Sequence, residues 1–188
     1  MIKAETLPAI SQYLKDWNLS EVQLIAETHT SYIYKTRYNE RSAILKILRA
    51  LGAIDEKNAA AALTHFNGHG SIRVMHHSDA ALLLEYAEGP DLRSLVTQGQ
   101  DQEATAIIAD TLNKLHSQPL PSRTQEFTPL RIWFRSLFAR AQTSTDPFYT
   151  KAASIAEELL SAPQDTCVLH GDIHHENIIL GDRGWLAI

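Results

Sequence analysis

Leu7, Ile10, Leu14 and Trp17 recur at three- and four-residue intervals, which predicts an amphipathic helix over about residues 5–17. The period then changes to two. Val22, Leu24 and Ala26 alternate in EVQLIAE, SYIYKTRY is rich in β-branched and aromatic residues, and SAILKIL follows the turn YNER. Three antiparallel strands are expected there. The alanine-rich stretch 55–70 predicts a helix stopped by Gly68 and Gly70. SIRVMHH and ALLLEYA predict two more strands around a turn at Ser78–Asp79, and EGPDL (Glu88–Leu92) ends the strand texture. Helices are expected next, in DLRSLVTQ, QEATAIIADTLNKLHS, RIWFRSLFARA and KAASIAEELLSA. In the second of these Ala104, Ile107, Ile108, Leu112 and Leu115 share one face. CVLHGD, NIIL and WLAI read as short strands.

This order implies an α+β fold in two lobes: a five-stranded antiparallel lobe over 1–86 and a mainly helical lobe over 87–188. Length suits that division, since 188 residues make one ordinary domain or two small lobes. A net charge of −5 does not suggest a basic surface for nucleic acid, which leaves room only for a local patch. No stretch approaches the roughly 18 apolar residues of a membrane span, and MIKAETLPAI has no apolar leader. Cys167 is the single cysteine, so no intrachain disulfide forms. A cytoplasmic protein is expected.

The chemistry concentrates in HGDIHHEN, between two apolar runs near the end of the chain. Asp172 and Asn177 have four residues between them, the D-x-x-x-x-N spacing of phosphotransfer loops. In such a loop a carboxylate takes the proton of the acceptor hydroxyl, while an amide oxygen faces the magnesium on the phosphates. Far upstream, Lys46 interrupts the apolar run AILKIL on the same strand face as Ile44 and Leu48. A buried ammonium needs a partner, and phosphate oxygens or Glu56, ten residues on in the next helix, would provide one.

H-G-D-x-H-x-x-N, carried by His170, Gly171, Asp172, His174 and Asn177, resembles the loop of the aminoglycoside phosphotransferase family, a small-molecule branch of the protein-kinase-like fold. The runs EKNAAAALTHFNGHGSIRVM and ALLLEYAEG are similar to its aminoglycoside/hydroxyurea resistance kinases, which include streptomycin 6-kinases. The resemblance covers about residues 21–188. It implies transfer of the γ-phosphoryl of ATP or GTP, with Mg2+, to a hydroxyl of a small molecule. By matching position, Asp172 is the base, Asn177 binds magnesium, Lys46 holds phosphates with Glu56 as its partner, and His170 shapes the loop. Glu85, Tyr86 and Ala87 form the segment whose backbone meets the purine.

Two departures from the family stand out. The first glycine of the chain is Gly52, so no glycine-rich phosphate flap exists between the first two strands. Thr28, Thr30 and Ser31 are expected to supply hydroxyls and N–H groups instead. The family's second magnesium ligand would follow Trp185–Ile188, so the chain is expected to stop short of it with the second lobe incomplete. Residues 90–188 hold 8 basic and 12 acidic side chains against 9 and 10 in residues 1–89. That balance suits a polycationic acceptor. Two rival readings remain: a metal-dependent hydrolase using His170, Asp172 and His174, and a catalytically inactive kinase-like remnant. Elsewhere, His76 and His77 are expected at the surface and Cys167 in a strand. Trp133, Phe134, Leu137 and Phe138 form a stripe expected in the core, with a wall of the acceptor pocket as the alternative.

Overall fold

The computed structural model describes residues 7–49, 53–122, 124 and 127–188, with side chains from Ile10 in the first helix and from Ala60 in the second. The elements run α1 (Leu7–Asp16), β1 (Ser20–Glu27), β2 (Ser31–Tyr38), β3 (Arg41–Leu48), α2 (Ala53–Phe66), β4 (Val74–His77) and β5 (Ala81–Glu85). These are followed by α3 (Arg93–Val96), α4 (Asp101–His116), α5 (Leu130–Trp133), α6 (Arg135–Thr143), α7 (Pro147–Ser161), β6 (Ile178–Gly181) and β7 (Gly184–Ala187). Strands β1–β5 form one antiparallel sheet in the order β1-β2-β3-β5-β4, and β6 and β7 form a hairpin. The expected five strands, with one helix after the third, are the ones observed.

Side-chain alternation along β3 gives the sheet two different faces. Ala43, Leu45 and Ile47 are buried with Tyr34, Ala81 and Leu83 beneath Ile10 of α1. Ile44 and Leu48, on the other face, pack with Leu82 and Leu84 of β5, Leu63 of α2, and Leu186 of β7. Helix α2 and the hairpin therefore share the side of the sheet to which Lys46 belongs. Buried Ala104 and Leu115 sit on the apolar face expected of α4, joined by Thr111, which the periodicity had passed over as polar.

The hairpin is laced to the rest of the chain on both edges. Gly89 N donates to Leu180 O (2.8 Å), Leu180 N to Pro90 O (3.0 Å) and Leu92 N to His175 O (3.0 Å). On the other edge Ile72 N donates to Ala187 O (2.9 Å) and Ala187 N to Gly70 O (2.8 Å). The first edge leaves no room for a side chain at Gly89: a Cβ there would stand 2.5 Å from Leu180 O and 2.8 Å from Leu180 Cβ. Gly89→Ala is expected to cost about 2 kcal/mol, a typical overpacking penalty, read as a lower midpoint in denaturant melts.

Three local expectations fail. Cys167–His170 makes no ladder; the segment runs extended, with Val168 buried against Phe66, Leu115 and Ala187. The helix expected over 131–141 breaks at Phe134 into α5 and α6. His76 is half-buried, stacked on Trp17 (5.6 Å between ring centroids) and hydrogen-bonded to Tyr38 Oη at 2.9 Å, whereas His77 is exposed as expected.

Candidate active site

Residues 170–177 cross from the extended segment to β6 as a tight loop. Gly171 makes the turn with φ of +88°, a region that disfavours any residue with a Cβ. His174 caps the short 3-10 turn His175–Asn177: its Nδ1 accepts from Glu176 N at 3.2 Å, which leaves the ring proton on Nε2. That Nε2 lies 3.9 Å from Asp172 Oδ2.

Asp172 and Asn177 come together as the spacing predicts. Asn177 Nδ2 donates to Asp172 O (2.8 Å) and to Asp172 Oδ2 (3.0 Å). One amide group thus fixes the carboxylate and turns its own oxygen the other way. The Asp172 side chain is 77% exposed, so its other oxygen faces open space. Asn177 O also accepts from Ile188 N (3.0 Å), which ties the loop to the end of β7.

His170 occupies a different environment. Its ring lies parallel to Phe66 (8° between planes), Nε2 donates to Ile188 O at 3.0 Å, and Nδ1 is buried without a hydrogen-bond partner among the described residues. Burial lowers its pKa, against the smaller opposing pull of the Ile188 carbonyl and Asp172. A histidine whose folded pKa is lowered contributes stability that is full above its unfolded pKa and is lost as pH falls through the folded value. Stability is therefore expected to decline below about pH 6.5. His170→Gln should flatten that decline in melting curves taken between neutral and mildly acidic pH; an unchanged slope would mean that His170 does not titrate on unfolding.

Lys46 lies in the middle of β3, opposite Ile33 of β2 and Leu82 of β5, on the sheet face shared with α2 and the hairpin. Glu56 falls within α2, but its side chain lies outside the described residues. Thr28 and Ser31 close on each other. Thr28 Oγ1 donates to Ser31 O (3.1 Å), lies 2.9 Å from Ser31 Oγ and accepts from Ser31 N (2.9 Å). Their hydroxyls satisfy the turn itself, with Ser31 buried. Glu85 N donates to Arg73 O (2.9 Å), so any part Glu85 takes in holding a purine falls to its carbonyl. Tyr86 carries Lys35 Nζ over its ring at 4.2 Å. Ala87 packs into the cluster formed by Leu84 and Leu186.

Sequence reasoning missed the residue that joins these parts. Arg183, in the β6–β7 turn, donates Nε to Glu85 Oε1 (3.1 Å) and Nη2 to Glu85 Oε2 (2.6 Å) and Ser71 O (2.9 Å), and also bonds Gly68 O. Burial alone would raise the Glu85 carboxyl; the Arg183 hydrogen bond, the Arg73 N–H and both guanidinium charges outweigh it and hold the pKa below the ordinary range. A second clamp braces the loop, with Arg93 bound to Asp91 (2.7 Å) and Glu176 (2.6 Å). Neither long-range bond shows in the sequence, because Glu85 lies 98 residues from Arg183 and Glu176 lies 83 from Arg93.

The aromatic stripe is not core. Trp133 is 53% exposed, Ile132 is 50% exposed, and Phe134, Leu137 and Phe138 are only half-buried. A Cβ on Gly171 would stand 4.0 Å from Trp133 Cζ2, so the indole borders the loop. No group of three or more His, Cys, Asp or Glu among the described residues is placed to hold a metal ion.

The profile of the aminoglycoside/hydroxyurea antibiotic resistance kinases matches residues 16–188. The chain belongs to that family. It is 40% identical over 177 residues to the streptomycin 3″-kinase of Klebsiella pneumoniae, covering 93% of this chain and 64% of that protein. It is 31% identical over 170 residues to the streptomycin 6-kinase of Streptomyces griseus, covering 81% and 54%. This member of the resistance-kinase family thus spans less than two thirds of either relative's length. Among solved structures it resembles the aminoglycoside phosphotransferase APH(4)-Ia in ternary complex with AMP-PNP and hygromycin B (TM-score 0.59, 14% identity, 98% of this chain and 70% of that one). It also resembles an ethanolamine kinase of Plasmodium vivax (TM-score 0.62, 17% identity, 100% and 63%). At those identities the likeness establishes the fold, which is protein-kinase-like.

Proposed function

We propose that the protein transfers the γ-phosphoryl group of ATP, or of GTP, to a hydroxyl of a streptomycin-like aminoglycoside. The observation that carries this is the Asp172–Asn177 couplet, held by one amide at the head of a hairpin whose Leu186 packs with Ile44 and Leu48, the neighbours of Lys46 on β3. Both curated relatives named above are streptomycin kinases. Residues 1–86 act as the nucleotide lobe and residues 87–188 supply the catalytic loop and part of the acceptor lobe. In phosphoryl transfer the protein mainly positions groups and neutralises charge. Asp172 Oδ2 is occupied by the Asn177 amide; its second oxygen takes the proton of the acceptor hydroxyl as the hydroxyl oxygen bonds to the γ-phosphorus and the bond from that phosphorus to the β–γ bridging oxygen breaks, releasing the nucleoside diphosphate. Lys46, with Glu56 as its partner, holds the phosphates, and backbone groups of Glu85 to Ala87 hold the base. The Asn177 amide oxygen, turned away from Asp172, is a hard donor that fits magnesium. Bound there, magnesium supplies positive charge to the phosphate oxygens. The lone, half-buried Cys167 and the need for a nucleoside triphosphate suit the cytoplasm.

The test is nucleoside diphosphate release by the full-length protein, given ATP or GTP with streptomycin, spectinomycin, hygromycin B, ethanolamine or a neutral sugar. Streptomycin-dependent release is expected, and Lys46→Met should lower it by about 100-fold or more, as for loss of one strong electrostatic contact. Release no higher with any acceptor than without would overturn the proposal in favour of the inactive remnant.

A further inference from the structure

The Asp172 carboxylate is anchored by an amide that it shares. Asn177 Nδ2 divides its donation between Asp172 O and Asp172 Oδ2, and the aspartate side chain is 77% exposed. A carboxylate held in this way turns about χ2, a broad two-fold torsion, and exchanges its oxygens. A second donor on the same oxygen stops that exchange, and His174 is in place to be it. Its Nδ1 accepts from Glu176 N (3.2 Å), so the proton of the neutral ring sits on Nε2. Nε2 lies 3.9 Å from Asp172 Oδ2, the oxygen that Asn177 already holds. The cap is braced in turn, since Glu176 Oε1 lies 2.6 Å from Arg93 Nη1 and Asp91 binds the same guanidinium at 2.7 Å. At 3.9 Å the His174–Asp172 contact is longer than a hydrogen bond. Catalytic hydrogen bonds are often long before substrate binds and tighten in the complex.

We propose that His174 is a positioning residue for the base: its Nε2–H and the Asn177 amide together hold Asp172 Oδ2, which fixes the plane of the carboxylate and leaves Oδ1 alone to take the acceptor proton. The two nitrogens of one ring divide the work, Nδ1 shaping the 3-10 turn and Nε2 aiming the carboxylate. This rests on the phosphotransferase reading and adds to it the group that keeps the second oxygen free.

Two substitutions separate the nitrogens. Asparagine puts an acceptor where Nδ1 stood and nothing at Nε2, whereas glutamine reaches the Nε2 position with an amide donor and leaves the Glu176 N–H uncapped. In the full-length protein, assayed with ATP and streptomycin, His174→Asn is expected to keep the parent's Tm and to lose about 10-fold in kcat, less than the roughly 10²-fold that a misplacement of about 1 Å costs. KM for both substrates should not move, as for an interaction that acts only in the transition state. His174→Gln should stay within a few-fold of the parent's kcat while its Tm falls by roughly 2–4 °C, as for a lost cap. A merely structural histidine gives the opposite order, with turnover following stability. Nitrogen-15 spectra of histidine-labelled protein, taken where the ring is neutral, should show a resonance pair that His174→Asn removes, with Nε2 protonated and Nδ1 bare. The reverse tautomer, an unchanged kcat in His174→Asn, or turnover that tracks Tm across the two variants overturns the inference and spares the phosphotransferase reading. A parent protein that turns over no acceptor overturns both.

Discussion

Asp172→Asn in the full-length protein is expected to lower turnover by about 10²- to 10⁴-fold, the usual contribution of a positioned proton acceptor. Nucleotide affinity should hardly change, because the replacement keeps the size and shape of the side chain. The geometry sharpens this expectation. Asn177 Nδ2 already donates to both the backbone and the carboxylate of Asp172, so an amide at position 172 can still accept through its oxygen. The loop should keep its shape while losing its base. Turnover within a few-fold of the parent would remove Asp172 from its role.

Arg183→Met is expected to have the largest effect on stability. It removes four hydrogen bonds and leaves the Glu85 carboxylate, 23% exposed, without its guanidinium. Breaking one side of a fully buried pair costs roughly 3–5 kcal/mol. Partial exposure of both groups scales this to about 2–3 kcal/mol, or a fall in Tm of roughly 5–10 °C for a chain of this size. The double variant with Glu85→Gln should recover part of the loss, since no charge is then stranded. The pair also sets a pH dependence. The folded-state pKa of Glu85 is lowered, so its contribution is full above the ordinary carboxylate pKa, about 4.3, and is lost as pH falls through the folded value. The Tm difference between Arg183→Met and the parent should therefore shrink in acid. A difference constant with pH would assign the effect to the Gly68 and Ser71 carbonyls alone.

The five strands were legible because each has a period or composition of its own, and the register Tyr38↔Arg41 follows from the short turn between β2 and β3. The Asp172–Asn177 couplet was legible because its two members are close in sequence. Lys46 stood out as a charge inside an apolar strand. What failed depended on distant neighbours. His76 was read as surface because nothing nearby in sequence announces Trp17 and Tyr38. Cys167–His170 has strand composition but no edge to pair with. Trp133 has helical periodicity, yet periodicity specifies a face without specifying what lies opposite. Arg183 gave no signal, since a single arginine in a turn is ordinary and only the fold supplies Glu85.

The backbone lacing of the hairpin constrains how the polypeptide acquires its shape. Gly89 meets Leu180, and Ile72 meets Ala187, across gaps of 91 and 115 residues. Contacts of such long range form slowly, because most of the loop entropy must be lost before they return anything. On a translating ribosome the first sheet can assemble early, while the reactive loop has to wait until both hairpin strands have emerged and found their two flanking segments. The 170–177 loop thus cannot close before the segments on both flanks of the hairpin are in place.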